Sequence, residues 1–170
     1  MIEIINADRG MISYVLDNLR QADREEMEAC ETDLAMLPRA IMHRRTFAYA
    51  ACDIQYGPVA VWGMVHRRHG VGAGFAFGTE DWGLALLPML RQIRHFVLPF
   101  LIDNGFHRVE AVAMAHRRDV ARFMSIIGAQ PEGVLREYGI NGEDFVSYRW
   151  LADEHDGTAE AADRILHATH

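Results

Sequence analysis

Hydrophobic positions change their spacing several times along the chain, and each change marks an element. Residues 2–6 (IEIIN) are rich in β-branched side chains and predict a short strand. Over 11–29 the apolar residues Ile12, Val15, Leu16, Leu19 and Met27 recur at roughly helical spacing, with charge between them. They predict one helix, capped by Asn6 or Asp8. Residues 33–43 (DLAMLPRAIMH) predict a second helix, with Asp33 as cap and Pro38 as a break or first-turn residue. Three strands follow at 46–52, 59–66 and 71–77, joined by turns at Tyr56-Gly57-Pro58 and His69-Gly70. Connections this short predict antiparallel pairing.

A longer helical pattern runs from about 83 to 103. Leu86, Leu90, Ile93, Val97 and Leu101 form its apolar stripe, Pro88 fits a first turn, and Pro99 predicts a kink or an early end. Asn104-Gly105 is its stop signal. A strand at 108–115 and a short helix at 118–127, ending at Gly128, come next. Two last strands, 132–138 and 144–151, flank Asn141-Gly142, a hairpin signal. The order β, α, α, β, β, β, α, β, α, β, β, without repeat or linker, predicts one α/β (α+β) domain over 1–151. The acidic tail 152–170 is expected to hold a short helix at 158–168 or to be disordered.

Composition narrows the classes. The chain has 170 residues, half of them hydrophobic, enough for a core without disulfides or metals. Cys30 and Cys52 have no metal-ligand spacing and predict two reduced, mostly buried thiols in a cytoplasmic setting. Arg91, Arg94, His95 and Asp103 break the longest apolar stretches, so no membrane span is expected. The start MIEIINADRG lacks the basic and then apolar pattern of a signal peptide. A net charge of −7 argues against nucleic acid as a partner. All 17 basic residues are Arg, so the chain has no lysine side chain to acetylate on itself.

Three stretches carry a family resemblance. Asn104 to Glu110 (NGFHRVE) form a helix-to-strand junction, Asp119 to Ala129 (DVARFMSIIGA) a short helix, and Gly133 to Val146 a closing hairpin. Together with the element order, these resemble the GNAT superfamily of N-acetyltransferases. The resemblance implies a mixed central sheet of about six to seven strands flanked by about four helices. Gly78-Thr79-Glu80-Asp81-Trp82 and the Arg122-Phe123-Met124 to Gly128-Ala129 element resemble phage-encoded GNAT-like proteins of the internal virion protein A type. That likeness implies the host cytosol or a virion as location.

The resemblance also implies a cofactor, acetyl-CoA. In the family an Arg/Gln-x-x-Gly-x-Gly/Ala loop opens the long helix, and its N–H groups hold the CoA pyrophosphate. The matching residues are Glu80-Asp81-Trp82-Gly83-Leu84-Ala85. Trp82, Gly83, Leu84 and Ala85 are therefore cofactor-binding candidates. Glu80 stands at the Arg/Gln position beside Asp81, and each carboxylate should repel a pyrophosphate by on the order of 1 kcal/mol or more. On the short helix, Met124 occupies the family's tyrosine position and cannot act as a general acid. Arg117 occupies the asparagine position, where it is either a phosphate partner or a solvated surface residue. Phe123 belongs to the same cofactor wall.

An N-acetyltransferase also needs a base. His116, at the end of the strand 108–115, is the first candidate and Glu80 a weaker one. Tyr138 and Tyr148 read as hairpin packing. His66 and His69 alone do not define a metal site. Two readings stay open. One is an acyl-CoA-dependent transferase acting on a small-molecule or protein amine. The other is a non-catalytic phage assembly protein whose partners are other virion proteins. Ala161, Ala162, Ile165 and Leu166 of the tail are expected to serve an oligomer contact.

Overall fold

The computed structural model describes residues 1–154. The expected tail helix at 158–168 and its oligomer contact lie outside the described residues. Seven strands form one mixed sheet: β1 (Ile2–Asn6), β2 (Arg45–Asp53), β3 (Gly57–Arg68), β4 (Val71–Gly78), β5 (Arg108–Met114), β6 (Gln130–Leu135) and β7 (Phe145–Leu151). Their order is β1-β2-β3-β4-β5-β7-β6. Tight turns at Gly57 and Gly70, both with positive φ, make β2–β3–β4 an antiparallel meander. Only β4 and β5 run parallel, because a long helical crossover joins them.

Alternation along the strands sorts the core into two layers. Ala48, Ala50, Val61 and Phe77 face Ile12, Val15 and Leu16 of α1 (Arg9–Asp17) and Ile41 of α3 (Leu37–Arg44). Trp62, Met64 and Trp150 face the other way. There they meet Met89 of α4 (Trp82–Gln92), Leu101 of α5 (Leu98–Asp103) and Phe123 of α6 (Arg118–Ile126).

Several elements depart from the sequence pattern. The single helix expected over 11–29 is two helices, α1 and α2 (Gln21–Ala29). The chain breaks at Asn18, whose side chain donates to the Tyr14 carbonyl, and Arg20 is extended. The crossover helix continues through Pro99. A π turn at Ile93–Val97 widens the backbone just where the proline ring would clash with the His95 carbonyl. Pro88 lies inside α4 rather than in its first turn. The combined helix Trp82–Asp103 is, by length and composition alone, apolar enough to cross a membrane, which corrects the expectation that its charges exclude this. In this fold it packs along the sheet. The last hairpin has no two-residue loop, since residues 136–144 connect β6 to β7. Cys30 is exposed and Cys52 half-buried, so the thiols are free but not core residues.

Candidate active site

β4 and β5 pair only at Val71↔Arg108, Gly72↔Val109 and Ala73↔Glu110. Beyond these, each strand stays with its outer neighbour. β4 keeps its register with β3 as far as Gly78, and β5 keeps its register with β7 as far as Met114. The seam between them opens. Backbone groups facing a buried seam need partners, and α2 supplies them across it. Gly78 N–H donates to Asp23 Oδ2 at 2.9 Å, and Arg20 N–H donates to the Gly78 carbonyl at 2.9 Å. On the opposite arm, Met114 N–H donates to Glu26 Oε2 at 2.9 Å.

Asp23 and Glu26 belong to a charged cluster centred on Arg117, whose side chain is only 4% exposed. Its Nη2 donates to Asp23 Oδ1 at 3.0 Å and to Asp119 Oδ2 at 2.8 Å. Nε donates to Asp119 Oδ1 at 2.9 Å, and Nη1 to the Ala22 carbonyl at 3.0 Å. Glu26 Oε2 is 3.5 Å from Nη1. Arg20 Nε donates to Asp23 Oδ2 at 2.8 Å, while its guanidinium lies 4.6 Å from the centre of the Trp82 ring. Burial works against the charge on Arg117. The carboxylates of Asp119, Glu26 and Asp23 outweigh it and hold the guanidinium protonated beyond its usual range. The Arg117 hydrogen bond pulls Asp119 down to about 2. Glu26 moves the other way. Burial raises its pKa, and Asp23 and Asp119 add to the rise against the Met114 N–H and Arg117.

This cluster closes one side of a cavity of about 530 Å³ that passes through the open seam, a size suited to a small-molecule ligand. Gly74 to Phe77 and Ala111 to Ala113 line it along the strands. Trp82, Leu86, Phe123 and Met124 line it on the α4–α6 side. Tyr148, on β7 opposite Ala111, adds a phenol to the wall. Burial, with the Glu26 charge second, raises the Tyr148 pKa, so the hydroxyl keeps its proton at neutral pH.

Of the residues singled out in the sequence, Trp82, Arg117 and Phe123 meet at this cavity. Arg117 is no solvated surface residue, and its guanidinium is occupied by carboxylates rather than open to a phosphate. Ala85 is buried beneath the start of α4, Leu84 is half-exposed, and a Cβ on Gly83 would touch nothing within 4 Å. His116 and Glu80 fall outside the cavity lining. His116 is exposed in the turn before α6. Glu80 Oε1 accepts the Gln21 N–H at 3.1 Å and so caps α2. Tyr138 packs against Phe145, with ring centres 5.2 Å apart, but is more than half exposed. Among the described residues, no group of three or more His, Cys, Asp and Glu side chains is placed to hold a metal ion. The sequence pattern did not single out Asp23, Glu26 and Arg20, and it accounted for Tyr148 by packing alone.

No family model matches the chain, and no curated protein is similar to it in sequence. Solved structures are similar in fold. A probable acetyltransferase of the GNAT family from Chromobacterium violaceum superposes with a TM-score of 0.67 at 16% identity, over 92% of this chain and 90% of that one. A GNAT superfamily phosphinothricin acetyltransferase from Sinorhizobium meliloti, solved with acetyl-CoA, gives 0.67 at 11% identity over 88% of each chain. The ribosomal-protein-S5-alanine acetyltransferase of Vibrio fischeri gives 0.63 at 14%, over 89% of this chain and 93% of that one. At these identities the likeness is one of architecture, and this chain has the GNAT fold of the acetyltransferases on which it superposes.

Proposed function

We propose that this protein is an acetyl-CoA-dependent N-acetyltransferase acting on an amine. The observation that carries this reading is the parting of β4 and β5 over a cavity that passes between the sheet arms. Such a slot admits a thioester arm from the α4–α6 side and an amine from the α2–α3 side. The residues present fit acetyl-CoA. Trp82, Leu86, Phe123 and Met124 offer an apolar wall for the cofactor arm, and the open space at Gly83 leaves the start of α4 free for phosphates. Glu80 does not oppose them as strongly as its position implies, because its carboxylate is turned to the α2 N-terminus. Arg20, stacked on Trp82, sets a guanidinium at the same end.

Acetyl-CoA supplies an activated acyl group. The chain holds the two reactants together, and that proximity lowers the barrier by removing the entropy cost of bringing them into contact. Tyr148 offers a hydroxyl proton inside the cavity, where Met124 has none. Calorimetry with acetyl-CoA tests this reading. Micromolar binding is expected, and Gly83→Trp should abolish it by filling the space at the helix start.

Met124 favours a second reading, a GNAT-like phage assembly protein that keeps the fold without the transfer. Absence of binding at millimolar acetyl-CoA would sink the transferase reading and turn the search to protein partners.

A further inference from the structure

Charge at the parted strands does not balance. Two guanidiniums, Arg20 and Arg117, face three carboxylates, Asp23, Asp119 and Glu26. Asp23 accepts from both guanidiniums, and Asp119 accepts twice from Arg117. Among the described residues, the hydrogen bond that Glu26 accepts comes from the Met114 N–H, with Arg117 standing off at 3.5 Å. A carboxylate offers about four acceptor sites, so most of the Glu26 capacity is unspent. Its side chain is 23% exposed, and it lines the cavity. It is also tied to the last residue of β5, at the arm of the seam opposite Gly78.

We infer that Glu26 is the proton acceptor for the incoming amine, and that Arg117 is a positioning residue that holds α2 and the start of α6 around it. This rests on the acetyl-transfer reading above. An ammonium acceptor first gives one proton to the Glu26 carboxylate, which neutralises the cluster. The free amine then attacks the thioester carbonyl carbon. The C–N bond forms, the C–S bond breaks, and the second nitrogen proton ends on the departing CoA thiolate. Water then carries the proton from Glu26 to solvent, returning the carboxylate.

The groups that face Glu26 set its proton affinity. Asp23 comes from its own helix, and Arg117 and Asp119 from the α6 start. The Met114 N–H comes from β5. The Tyr148 phenol of β7 and the Cys30 thiol at the end of α2 also lie near, and burial, with the Glu26 charge second, raises the pKa of both. Burial and the two neighbouring aspartates outweigh Arg117 and the N–H, and a base of raised pKa works closer to neutral pH. Neither His116 nor Glu80 lines the cavity, whereas Glu26 does.

Two measurements test the assignment. Carboxyl-carbon NMR of the acetyl-CoA-free protein, with the signal identified by its loss in Glu26→Gln, should show Glu26 titrating above the ordinary glutamate range. Thiol release from acetyl-CoA with benzylamine, a simple primary amine, as the acceptor should rise with pH through that same midpoint. Glu26→Gln should lower that rate about 100-fold or more and flatten the profile, while calorimetric acetyl-CoA binding stays within twofold of wild type. Glu26→Asp should recover part of the rate. If binding is kept and Glu26→Gln retains the rate and its pH profile, or if Glu26 titrates in the ordinary range, the assignment is wrong and the transferase reading stands. If the wild-type protein does not bind acetyl-CoA, the transferase reading fails and takes this assignment with it.

Discussion

β4 and β5 hold charge in opposite ways at their two ends. Where the strands pair, Arg108, Glu110, Glu132 and Arg149 form a network on the open face of the sheet. Arg108 Nε donates to Glu110 at 2.8 Å, its Nη2 contacts Glu132, and Arg149 Nη1 donates to Glu154 at 2.7 Å. Water and salt screen these pairs. Where the strands part, Arg117 and Asp23 are buried and Glu26 is half-buried, and the two carboxylates do what a strand neighbour would otherwise do, accepting the Gly78 and Met114 N–H groups. The same residue types are dispensable decoration at one end and a structural requirement at the other. Surroundings, not composition, decide the difference.

The sharpest way to break this comparison is Arg117→Leu. It leaves three carboxylates around an uncharged side chain, and removing one partner of a buried ion cluster costs about 3–5 kcal/mol. A melting temperature lower by roughly 10 °C is expected for a chain of this size. A loss of only a degree or two would show that water reaches the cluster and that the two ends are alike.

Most of the fold is legible in the sequence, and the reason is periodicity. The short apolar runs TFAYAAC and VAVWGMVH bounded by turn residues, the stripe through Leu86, Leu90 and Leu101, and the glycines at the turns each express one local rule. The order of these elements then brings β4 and β5 together around a crossover. The site is less legible because its key contacts join residues far apart in the chain. Asp23 and Arg117 are 94 positions apart, and Glu26 and Met114 are 88 apart. One signal was present. The stripe Ile12, Val15, Leu16, Leu19 continues at three- and four-residue steps onto Asp23 and Glu26, so two carboxylates stand where burial is expected. Read as a solvated helix face, they vanish among Arg24, Glu25 and Glu28. The break at Asn18–Arg20 that turns α2 across the seam depends on Gly78, which no local rule connects to it.

A smaller effect separates two glycines of β4. A Cβ on Gly78 would lie 2.4 Å from a Trp82 ring carbon and 2.9 Å from the Val59 carbonyl oxygen. Gly78→Ala should cost about 1–3 kcal/mol, as overpacking does. A Cβ on Gly74, one residue past the last β4–β5 pair, would meet nothing closer than 3.5 Å. Gly74→Ala should leave stability unchanged in urea unfolding while narrowing the cavity. Equal losses from both would mean that the seam is packed along its length.

Glu26→Gln is expected to stabilise. The folded protein holds the Glu26 proton more tightly than the unfolded chain does. Its contribution is therefore fully present below the ordinary glutamate value of 4.5 and is lost as pH rises through the raised folded value. Glutamine cannot ionise, yet its amide oxygen can still accept the Met114 N–H. Above neutral pH the variant should exceed wild type, seen as a higher melting temperature. The gap should close below about pH 4. A variant less stable than wild type at pH 8 would mean that Arg117 needs the third carboxylate.

The smallest effect belongs to the paired end. Glu132 makes two contacts with Arg108 and lies near Arg149, and the Arg108 hydrogen bond holds its carboxyl below the usual range. Its side chain nevertheless stands in water, where a lowered pKa does not translate into stability of matching size. Glu132→Gln should leave the melting temperature within error of wild type at neutral pH. Raising the salt should change wild type and variant alike, because screening has already removed most of what the pair contributes. Asp119 gives the internal contrast. Its own side chain is 49% exposed, but its partner Arg117 is buried and holds it at about 2, so a contribution reduced by solvent screening is present above pH 3.8 and fades as pH falls toward 2. Acid titration of the two variants therefore separates the ends without touching the core. Asp119→Asn should flatten the acid limb of the stability curve, and Glu132→Gln should leave it in place.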